Sequence, residues 1–395
     1  MTRVPADPTV PAVHVDAFTS LVPGGGIGRF ARLLIRALRE QPGAPEHRFV
    51  VARSVREEAR RRWPREKLVE LSWTWRQLAM AMMAGRWLGW EFDTRYGHPA
   101  VVHSPAGYGP RFRHARLINQ VHDITYFTHP EWHTRKTSAL LSVTAPVACR
   151  SAALVLTDCE YVREEVVRHF GVSPERVLSV PLPLDPDFRP MAAGEARSHI
   201  ARRFGLDGPF VLHVSTLEPR KNQVRLVDAW ERMRRAGFPG PLVMVGADGW
   251  RMGSILERLA SSPFASDIRR LQRIGDEDLV ALYGAATVTA FPSLSEGFGY
   301  PLLESMACGT PCVSSDHASL IELAAGASPH VPAEDVDALA DAMLRVWRDA
   351  DERARLAAAG LRRAADFGFE AWAQRMFGIY RRELALAASG SSAAP

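Results

Sequence analysis

Two glutamates separated by seven residues carry the clearest chemistry in this sequence. Glu296 and Glu304 enclose the segment Gly-Phe-Gly-Tyr-Pro-Leu-Leu. A proline is accepted at the first position of a helix, because its missing N–H would have no partner there. We therefore expect a helix that begins near Pro301 and holds Glu304 in its first turn. Free N–H groups at such a helix start can bind an anion, and two nearby carboxylates suit a ligand that also has hydroxyl groups. A nucleotide-diphosphate sugar has both, whereas a glycine turn before a capped helix would explain the segment without a ligand.

Two basic residues are placed where they could neutralise such a diphosphate. Arg220 and Lys221 follow Pro219 shortly after a predicted strand, Phe210–Val214. Open α/β sheets bind ligands beyond the carboxyl ends of their strands, and cations at that position can stabilise a departing diphosphate. An exposed basic pair at a helix start is the alternative interpretation.

A histidine and an aspartate end another predicted strand. His122 and Asp123 follow the apolar run Arg116–Val121, so they are expected at the same kind of sheet edge. A neutral imidazole there could hydrogen-bond a sugar hydroxyl or polarise an acceptor. The alternative is a histidine that caps the next segment.

The loop that contains Gly26, Gly28 and Ala31 has the spacing of a dinucleotide-binding fingerprint. About seven residues separate Phe18, at the end of the first predicted strand, from Gly26, whereas the fingerprint follows its strand almost at once. Arg53, rather than an acidic residue, stands near the end of the second predicted strand. An NADP-dependent enzyme is therefore an alternative that the spacing disfavours.

The length of 395 residues suits two domains. In both halves short β-rich runs alternate with helical patterns, which predicts parallel sheets covered by helices and an α/β fold. One predicted strand is Leu271–Ile274, and Thr157 to Glu160 has the spacing of a capping box that would open a helix. A proline-rich stretch at 181–190 marks the link between domains. The predicted organisation is a first domain at 1–188, a second at 189–368, and a helix with a disordered tail at 369–395.

Charge is concentrated in the first domain. The net charge is +5, and between Arg29 and Lys67 there are twelve Arg or Lys against five Asp or Glu. Such a cluster could contact nucleic acid, an anionic membrane or a phosphorylated substrate, or could be a solvated helix face. Because no aromatic-interleaved RNA-binding motif accompanies it, we expect no nucleic-acid partner. The tryptophan-rich stretch from Trp73 to Trp90 is interpreted as a packed helix, with peripheral contact to the inner membrane as the alternative.

Other features bear on compartment and cofactors. The four cysteines lack zinc-ligand spacing and are interpreted as buried free thiols. No apolar run reaches the roughly 20 residues of a membrane span, and the N-terminus lacks a secretory layout. We therefore expect a cytoplasmic protein, with association at the cytoplasmic membrane face left open. Two Asp-x-Asp sequences, at Asp185 and Asp335, fall in the proline-rich link and at a helix start, so neither a metal nor a cofactor is expected.

Several of these blocks together resemble the retaining glycosyltransferases of family 4. The resemblance covers roughly residues 13–385 and is carried by Glu296 to Val313, Ser215 to Asn222 and Val121 to Asp123. It implies the GT-B fold, in which two Rossmann-like domains face each other across a cleft and a C-terminal helix crosses back to the first domain.

The resemblance also implies roles for individual residues. The family usually carries Gly-Arg where this chain has Ser215-Thr216, so Arg220 is expected to supply the second cation beside Lys221. His122 is implied to lie against the donor sugar and Glu296 to face the transferred sugar. The implied catalytic residues are His122, Glu296, Arg220 and Lys221. The implied donor-binding residues are Gly26, Asp123, Ile274, Phe298, Gly299 and Glu304.

The implied activity is metal-independent transfer of a hexose, with retention of anomeric configuration, from a nucleotide-diphosphate sugar to a saccharide or lipid-linked saccharide. The blocks at His122 and at Leu217–Asn222 look most like those of GDP-mannose-dependent mannosyltransferases of polysaccharide assembly. Rhamnosyltransferases carry similar blocks. A sugar-nucleotide epimerase of the same fold and an inactive GT-B binding module are further alternatives.

Overall fold

The structure, a computed structural model, describes residues 11–21, 25–107 and 109–390, and the chain divides into two units. The first unit contains the chain up to Ile124, then Ala139–Pro183, and the segment that starts at Phe369. The second contains Thr125–Ser138 and Leu184–Gly368. The passage at Pro183 and Leu184 falls within the proline-rich stretch.

Within its described residues, the first unit has a seven-stranded parallel sheet in the order β3-β2-β1-β4-β5-β6-β7. Its strands are β1 (Val13–Asp16), β2 (His47–Val51), β3 (Leu68–Glu70), β4 (Val101–Ser104), β5 (Arg116–Val121), β6 (Leu154–Thr157) and β7 (Val177–Ser179). Its helices are α1 (Gly26–Glu40), α2 (Arg56–Arg62), α3 (Trp75–Leu88), most of α5 (Arg135–Ser151), α6 (Glu160–Phe170) and α15 (Phe369–Ala388).

The second unit repeats this plan with six strands in its described part, in the order β10-β9-β8-β11-β12-β13. The strands are β8 (Val211–Val214), β9 (Leu242–Val245), β10 (Ile268–Leu271), β11 (Val288–Phe291), β12 (Cys312–Ser315) and β13 (His330–Val331). The helices are α4 (Thr125–Thr128), α7 (Ala193–Phe204), α8 (Gln223–Arg235), α9 (Gly253–Ala260), α10 (Asp276–Ala285), α11 (Tyr300–Ala307), α12 (Ala318–Ala324), α13 (Val336–Arg348) and α14 (Ala350–Ala364).

In each sheet the strand order reverses beside the unit's first strand, as in Rossmann-like folds. Apolar side chains of both sheets are almost fully buried against the helices. Val211 of β8, Val313 of β12 and Trp230 of α8 illustrate this in the second unit. The predicted α/β class with parallel sheets is confirmed. The predicted strand Leu271–Ile274 is wrong: β10 ends at Leu271, because Ile268–Leu271 is the segment that pairs with β9.

The segment Thr125–Ser138 belongs to the second unit, although it lies inside the predicted first domain, 1–188. The indole Nε1 of Trp250 donates a 2.7 Å hydrogen bond to the carbonyl oxygen of Trp132. The rings of His133 and Trp250 stack with centroids 5.9 Å apart. These long-range contacts fix the segment to the second unit and have no local sequence signature.

Helix α15 packs on the first unit, which confirms the predicted return of the C-terminal helix. The hydroxyl of Tyr380 lies 2.7 Å from Nδ1 of His103, and Nε of Arg116 donates to Oε2 of Glu383 at 2.8 Å. Both side chains of the ion pair are nearly inaccessible, at 10% and 0% exposure. Of the tail predicted to be disordered, residues 387–395, Ala387 and Ala388 belong to the last turn of α15 and Ser389 and Gly390 form a turn, while 391–395 lie outside the described residues.

The basic segment of the first domain forms many surface ion pairs. Arg39 pairs with Glu66, Arg60 with Glu70, and Lys67 with Glu46. On α3 and just after it, Met80, Leu88 and Trp90 are exposed. In the described part of the chain, no helix combines the length and the apolar character needed to cross a membrane.

We predict that Glu383→Ala destabilises the protein strongly. The change leaves the buried guanidinium of Arg116 without its carboxylate, and breaking a buried pair in this way costs about 3–5 kcal/mol. Urea denaturation measures the loss. Glu40→Ala serves as the control, because Glu40 pairs with Arg36 on an exposed face of α1 and such pairs contribute about 0–1 kcal/mol. Similar losses in both variants would contradict the importance of the buried pair.

Candidate active site

The candidate site of the second unit lies where two neighbouring parallel strands end. Strands β8 and β11 pair directly, with Val288 opposite Val211, and the sheet order reverses between them. Their carboxyl ends therefore meet at one edge, where open α/β sheets bind ligands. The backbone N–H of Leu294 donates to the carbonyl of Arg220 at 2.8 Å, which joins the loop after β8 to the loop after β11.

Four charged side chains meet across these loops. Nζ of Lys221 donates to Oε1 of Glu296 at 2.6 Å, and Nη1 of Arg220 donates to Oε2 of the same carboxylate at 2.9 Å. Nη2 of Arg220 donates to Oε1 of Glu218 at 2.8 Å. Exposure of these side chains ranges from 3% for Glu218 to 12% for the two cations. The structure thus brings together Arg220, Lys221 and Glu296, as expected for a common site.

The electrostatics of this cluster favour its ionised form at Glu296. Burial opposes the charge, but Lys221 and Arg220 outweigh it and lower the pKa of Glu296 to about 2. Burial and the neighbouring charge of Arg220 lower the pKa of Lys221 from its ordinary value. Glu218 was not singled out in the sequence, although its position two residues before Arg220 places it in the same loop.

The second glutamate lies deeper than expected. Helix α11 begins at Tyr300, after Gly299 with a φ of 106°, so Glu304 is its fifth residue and the predicted place in the first turn is wrong. Glu304 is 4% exposed, and its Oε2 accepts a 2.9 Å hydrogen bond from the hydroxyl of Tyr283. Phe298 is buried with its ring edge-on to Phe367, centroids 5.9 Å apart, so only its backbone is suited to a ligand.

A buried polar network holds the loop after β8. Nδ1 of His213 lies 2.9 Å from the carbonyl of Ala290, which can only accept, so Nδ1 carries the proton. Nε2 then accepts from the hydroxyl of Ser215 at 2.7 Å. Burial lowers the pKa of His213 to about 4, which keeps it neutral. Gly246 is also required, because a Cβ there would lie 1.9 Å from the carbonyl oxygen of Ser215.

His122 in the first unit is bonded at both ring nitrogens. Nδ1 lies 2.7 Å from Oδ2 of Asp158, and Nε2 lies 2.8 Å from the carbonyl oxygen of Pro105. Since both partners accept, both nitrogens donate. Burial opposes the charged ring, but Asp158, the Pro105 carbonyl and Asp123 together raise the pKa of His122 above its ordinary value. These contacts favour the imidazolium over the neutral imidazole that the sequence suggested, and the catalytic role of His122 stays a prediction.

Asp158 is the residue that sequence reasoning missed in the first unit. Its other oxygen, Oδ1, accepts from Gln120 at 2.7 Å, and helix α6 starts after Cys159 without a side-chain cap. The predicted capping box at Thr157 is therefore wrong. The feature that points to Asp158 is the register of the two strands. Val121 of β5 pairs with Thr157 of β6, so the residues that follow them, His122 and Asp158, lie side by side.

The remaining predicted residues lie at loop and helix starts in both units. Gly26 is the exposed first residue of α1, after Gly25 with a φ of 75°. Asp123 is half-buried beside His122, and Ile274 is half-buried three residues past the end of β10. Gly26, His122 and Asp123 belong to the first unit and the other predicted residues to the second; their roles stay predictions.

In residues 11–21, 25–107 and 109–390, no group of three or more His, Cys, Asp or Glu side chains has the arrangement of a metal site. Of the two Asp-x-Asp sequences, the second has a local role, because Asp335 caps α13 by accepting from the N–H of Ala338 at 2.9 Å. Asp185 accepts a 3.3 Å bond from the N–H of Asp187 in the proline-rich stretch.

We predict that Asp158→Asn lowers the pKa of His122, with a smaller decrease for Asp123→Asn, the control. A raised pKa means that protonation of His122 stabilises the fold below its unfolded-state pKa of about 6.5, and that this contribution is lost as pH rises through the folded-state pKa. NMR titration of the ring, assigned with His122→Gln, measures the change. An unaltered pKa in Asp158→Asn would contradict the assignment of the imidazolium to this pair.

Comparison with known protein families gives two matches. The model of glycosyl transferases group 1 matches residues 197–363, and the model of glycosyltransferase family 4 matches residues 24–188. The first match contains the Arg220 and Glu296 cluster, and the second contains His122.

Individual relatives agree with these matches. The chain is 31% identical over 282 residues to the O-antigen chain mannosyltransferase B of Escherichia coli, covering 71% of this chain and 74% of that protein. It is 31% identical over 312 residues to a D-inositol 3-phosphate glycosyltransferase of Saccharomonospora viridis, covering 75% and 68%.

A solved sucrose-phosphate synthase from Thermosynechococcus elongatus has a similar fold, with a TM-score of 0.73, 20% identity, and coverage of 95% of this chain and 99% of that one. This likeness confirms the predicted GT-B fold. Taken with the family matches and the relatives, it identifies the chain as a glycosyltransferase that belongs to family 4.

Proposed function

We propose that this glycosyltransferase transfers a hexose, with mannose favoured, from a nucleotide-diphosphate sugar to a saccharide or lipid-linked saccharide. The proposed reaction retains anomeric configuration and needs no divalent metal. The observation that carries the proposal is the buried cluster of Arg220, Lys221 and Glu296, beside the start of α11. Two cations at this sheet edge suit a diphosphate, and a carboxylate bound to both suits the sugar attached to it.

In this proposal the cations move their hydrogen bonds from Glu296 to the diphosphate. Lys221 and Arg220 stabilise the negative charge that grows as the sugar leaves, and the N–H groups that follow Gly299 add to this stabilisation. Glu296, relieved of its cations, then faces a developing positive charge on the transferred sugar. Glu304 accepts hydrogen bonds from the ribose diol, since an ionised carboxylate is an acceptor with about four lone-pair sites.

The contacts of His122 narrow the role that we propose for it. As an imidazolium whose two N–H groups are already bonded, it has no lone pair with which to take a proton from an acceptor. We propose that it acts as a fixed positive charge at the end of β5, or donates to a sugar hydroxyl after giving up its bond to the Pro105 carbonyl. Asp158 then becomes the residue that holds its charge and orientation.

The choice of donor rests on similarity. The mannosyltransferase of E. coli supports mannose, while the D-inositol 3-phosphate enzyme shows that relatives of equal identity differ in acceptor. A cytoplasmic location and a peripheral membrane contact are also proposed. Exposed Met80, Leu88 and Trp90 support the contact, but the ion pairs of the basic segment leave less positive charge for lipid headgroups than the sequence suggested.

Nucleotide binding followed by product analysis tests the function. A ligand that binds the native state raises its apparent stability, so we expect GDP to raise the melting temperature more than UDP, dTDP or ADP. Transfer from GDP-mannose should persist in EDTA, and NMR of the product should show the α-configuration of the donor. Free nucleotide and a free sugar without any acceptor would instead indicate the epimerase, and nucleotide binding without turnover an inactive module. Activity restored by manganese, or an inverted product, would contradict the proposed mechanism.

The two glutamates should separate binding from catalysis. Glu304→Gln removes a charged acceptor, and hydrogen bonds to charged groups contribute about 1.5–3 kcal/mol, so we expect the nucleotide Kd to rise by about tenfold or more. Glu296→Gln should leave the Kd unchanged or lower it, because its carboxylate competes with phosphate for Lys221 and Arg220, and should reduce kcat. Calorimetry and initial rates measure both effects, and an equal weakening of nucleotide binding by the two changes would show that the roles are divided wrongly.

A further inference from the structure

The charges of the candidate site balance before any ligand binds. Arg220 and Lys221 contribute two positive charges, and Glu218 and Glu296 contribute two negative charges. Hydrogen bonds of 2.6 to 2.9 Å between nitrogen and oxygen connect the four side chains. A nucleotide diphosphate adds at least two negative charges to this group. With both carboxylates ionised, the site would then be negative overall and largely out of water, where unbalanced charge is costly.

The two carboxylates are not equivalent in their ability to give up charge. Both oxygens of Glu296 accept a charged donor, and its main-chain carbonyl is fixed by the hydroxyl of Ser319 at 2.8 Å. Glu218 has a partner at Oε1 only. Its Oε2 is buried and has no hydrogen-bond partner among the residues that the structure describes, and the residue as a whole is 2% exposed.

We propose that Glu218 takes up a proton from solvent at Oε2 when a nucleotide diphosphate binds to Arg220 and Lys221. The inference rests on the proposed donor site. The carboxylate and one proton become a neutral carboxylic acid, and no other bond is made or broken in this step. Oε1 stays an acceptor for Nη2 of Arg220, so Glu218 continues to orient the guanidinium while it no longer competes with phosphate for its charge. Glu218 is thus a positioning residue whose protonation is coupled to donor binding.

The surroundings of Glu218 support this coupling. Burial raises its pKa from the ordinary value, and Glu296 acts in the same direction, while Arg220 and Lys221 oppose both. A bound diphosphate adds negative charge next to the same two cations, so they lower the pKa of Glu218 less than before. Other titratable groups near the cluster are His213 on β8 and His317 before α12, whose environments include Lys221 or Arg220 and Glu296. They are common to all the variants compared below.

Calorimetry of the full chain tests the coupling. The nucleotide that gives the largest thermal shift is titrated at one pH in two buffers with different heats of ionisation, which yields the number of protons taken up. We expect the wild-type protein to take up more protons than Glu218→Gln, by as much as one. As pH rises between the free and the bound pKa of Glu218, the wild-type Kd should increase by up to about tenfold per pH unit, and Glu218→Gln should lose this slope.

Matched measurements separate the outcomes. The nucleotide's own titration is identical in both proteins, and Glu334→Gln is the control, because Glu334 is an exposed carboxylate paired with Arg225. Equal proton uptake in wild type and Glu218→Gln overturns this inference alone. If Glu218→Gln does not fold, the wild-type protein alone is decisive. Proton uptake on binding that is fully explained by the titration of the nucleotide then also overturns this inference. Failure of every nucleotide diphosphate to bind overturns the proposed function and this inference together.

Discussion

The contact between Glu296 and the two cations Arg220 and Lys221 is the interaction on which the candidate site depends. It joins residues that are 75 and 76 positions apart in sequence. Their loops meet because β8 and β11 are neighbours in the sheet. Breaking such a buried pair by removing one partner is costly. A ligand that replaces Glu296 must therefore offer equivalent charge. A diphosphate meets this requirement, whereas a neutral sugar does not, which supports the proposal that the cluster binds the nucleotide end of a donor.

Close backbone packing makes this contact specific. Gly246 lets the loop after β9 approach the carbonyl of Ser215. Neutral His213 accepts a hydrogen bond from the hydroxyl of Ser215 and so orients it. The position of Arg220 depends on these supports of its loop and on Glu218. The guanidinium is held from two sides, by Glu218 and by the carbonyl of Ser295, which leaves it few alternative orientations.

Site residues that depend on a local sequence pattern could be predicted, whereas contacts that depend on pairing between distant segments could not. Arg220, Lys221 and Glu296 could be predicted because each follows an apolar strand and lies within two residues of a proline or glycine. Asp158 could not be found in this way, since its partner His122 lies on a neighbouring strand and only the register of β5 and β6 brings them together. The same reason explains the segment Thr125–Ser138, which is assigned to the second unit by contacts with Trp250. Glu304 lies one residue further into α11 than predicted, just past the first turn, because Pro301 is the second, not the first, residue of the helix.

The two units use buried charge in opposite ways. In the second unit each cation has a carboxylate partner, and binding of the proposed diphosphate would exchange one anion for another. In the first unit His122 is bonded at both nitrogens, to a 1% exposed Asp158 and to the backbone carbonyl of Pro105, so its charge is held by groups of the protein itself. An imidazolium held in this way cannot serve as a general base, because it has no unshared electron pair. If His122 acts on the donor or the acceptor, it does so through its charge or by donation, and proton transfer from the acceptor must then involve another group, for which the departing diphosphate is chemically suited.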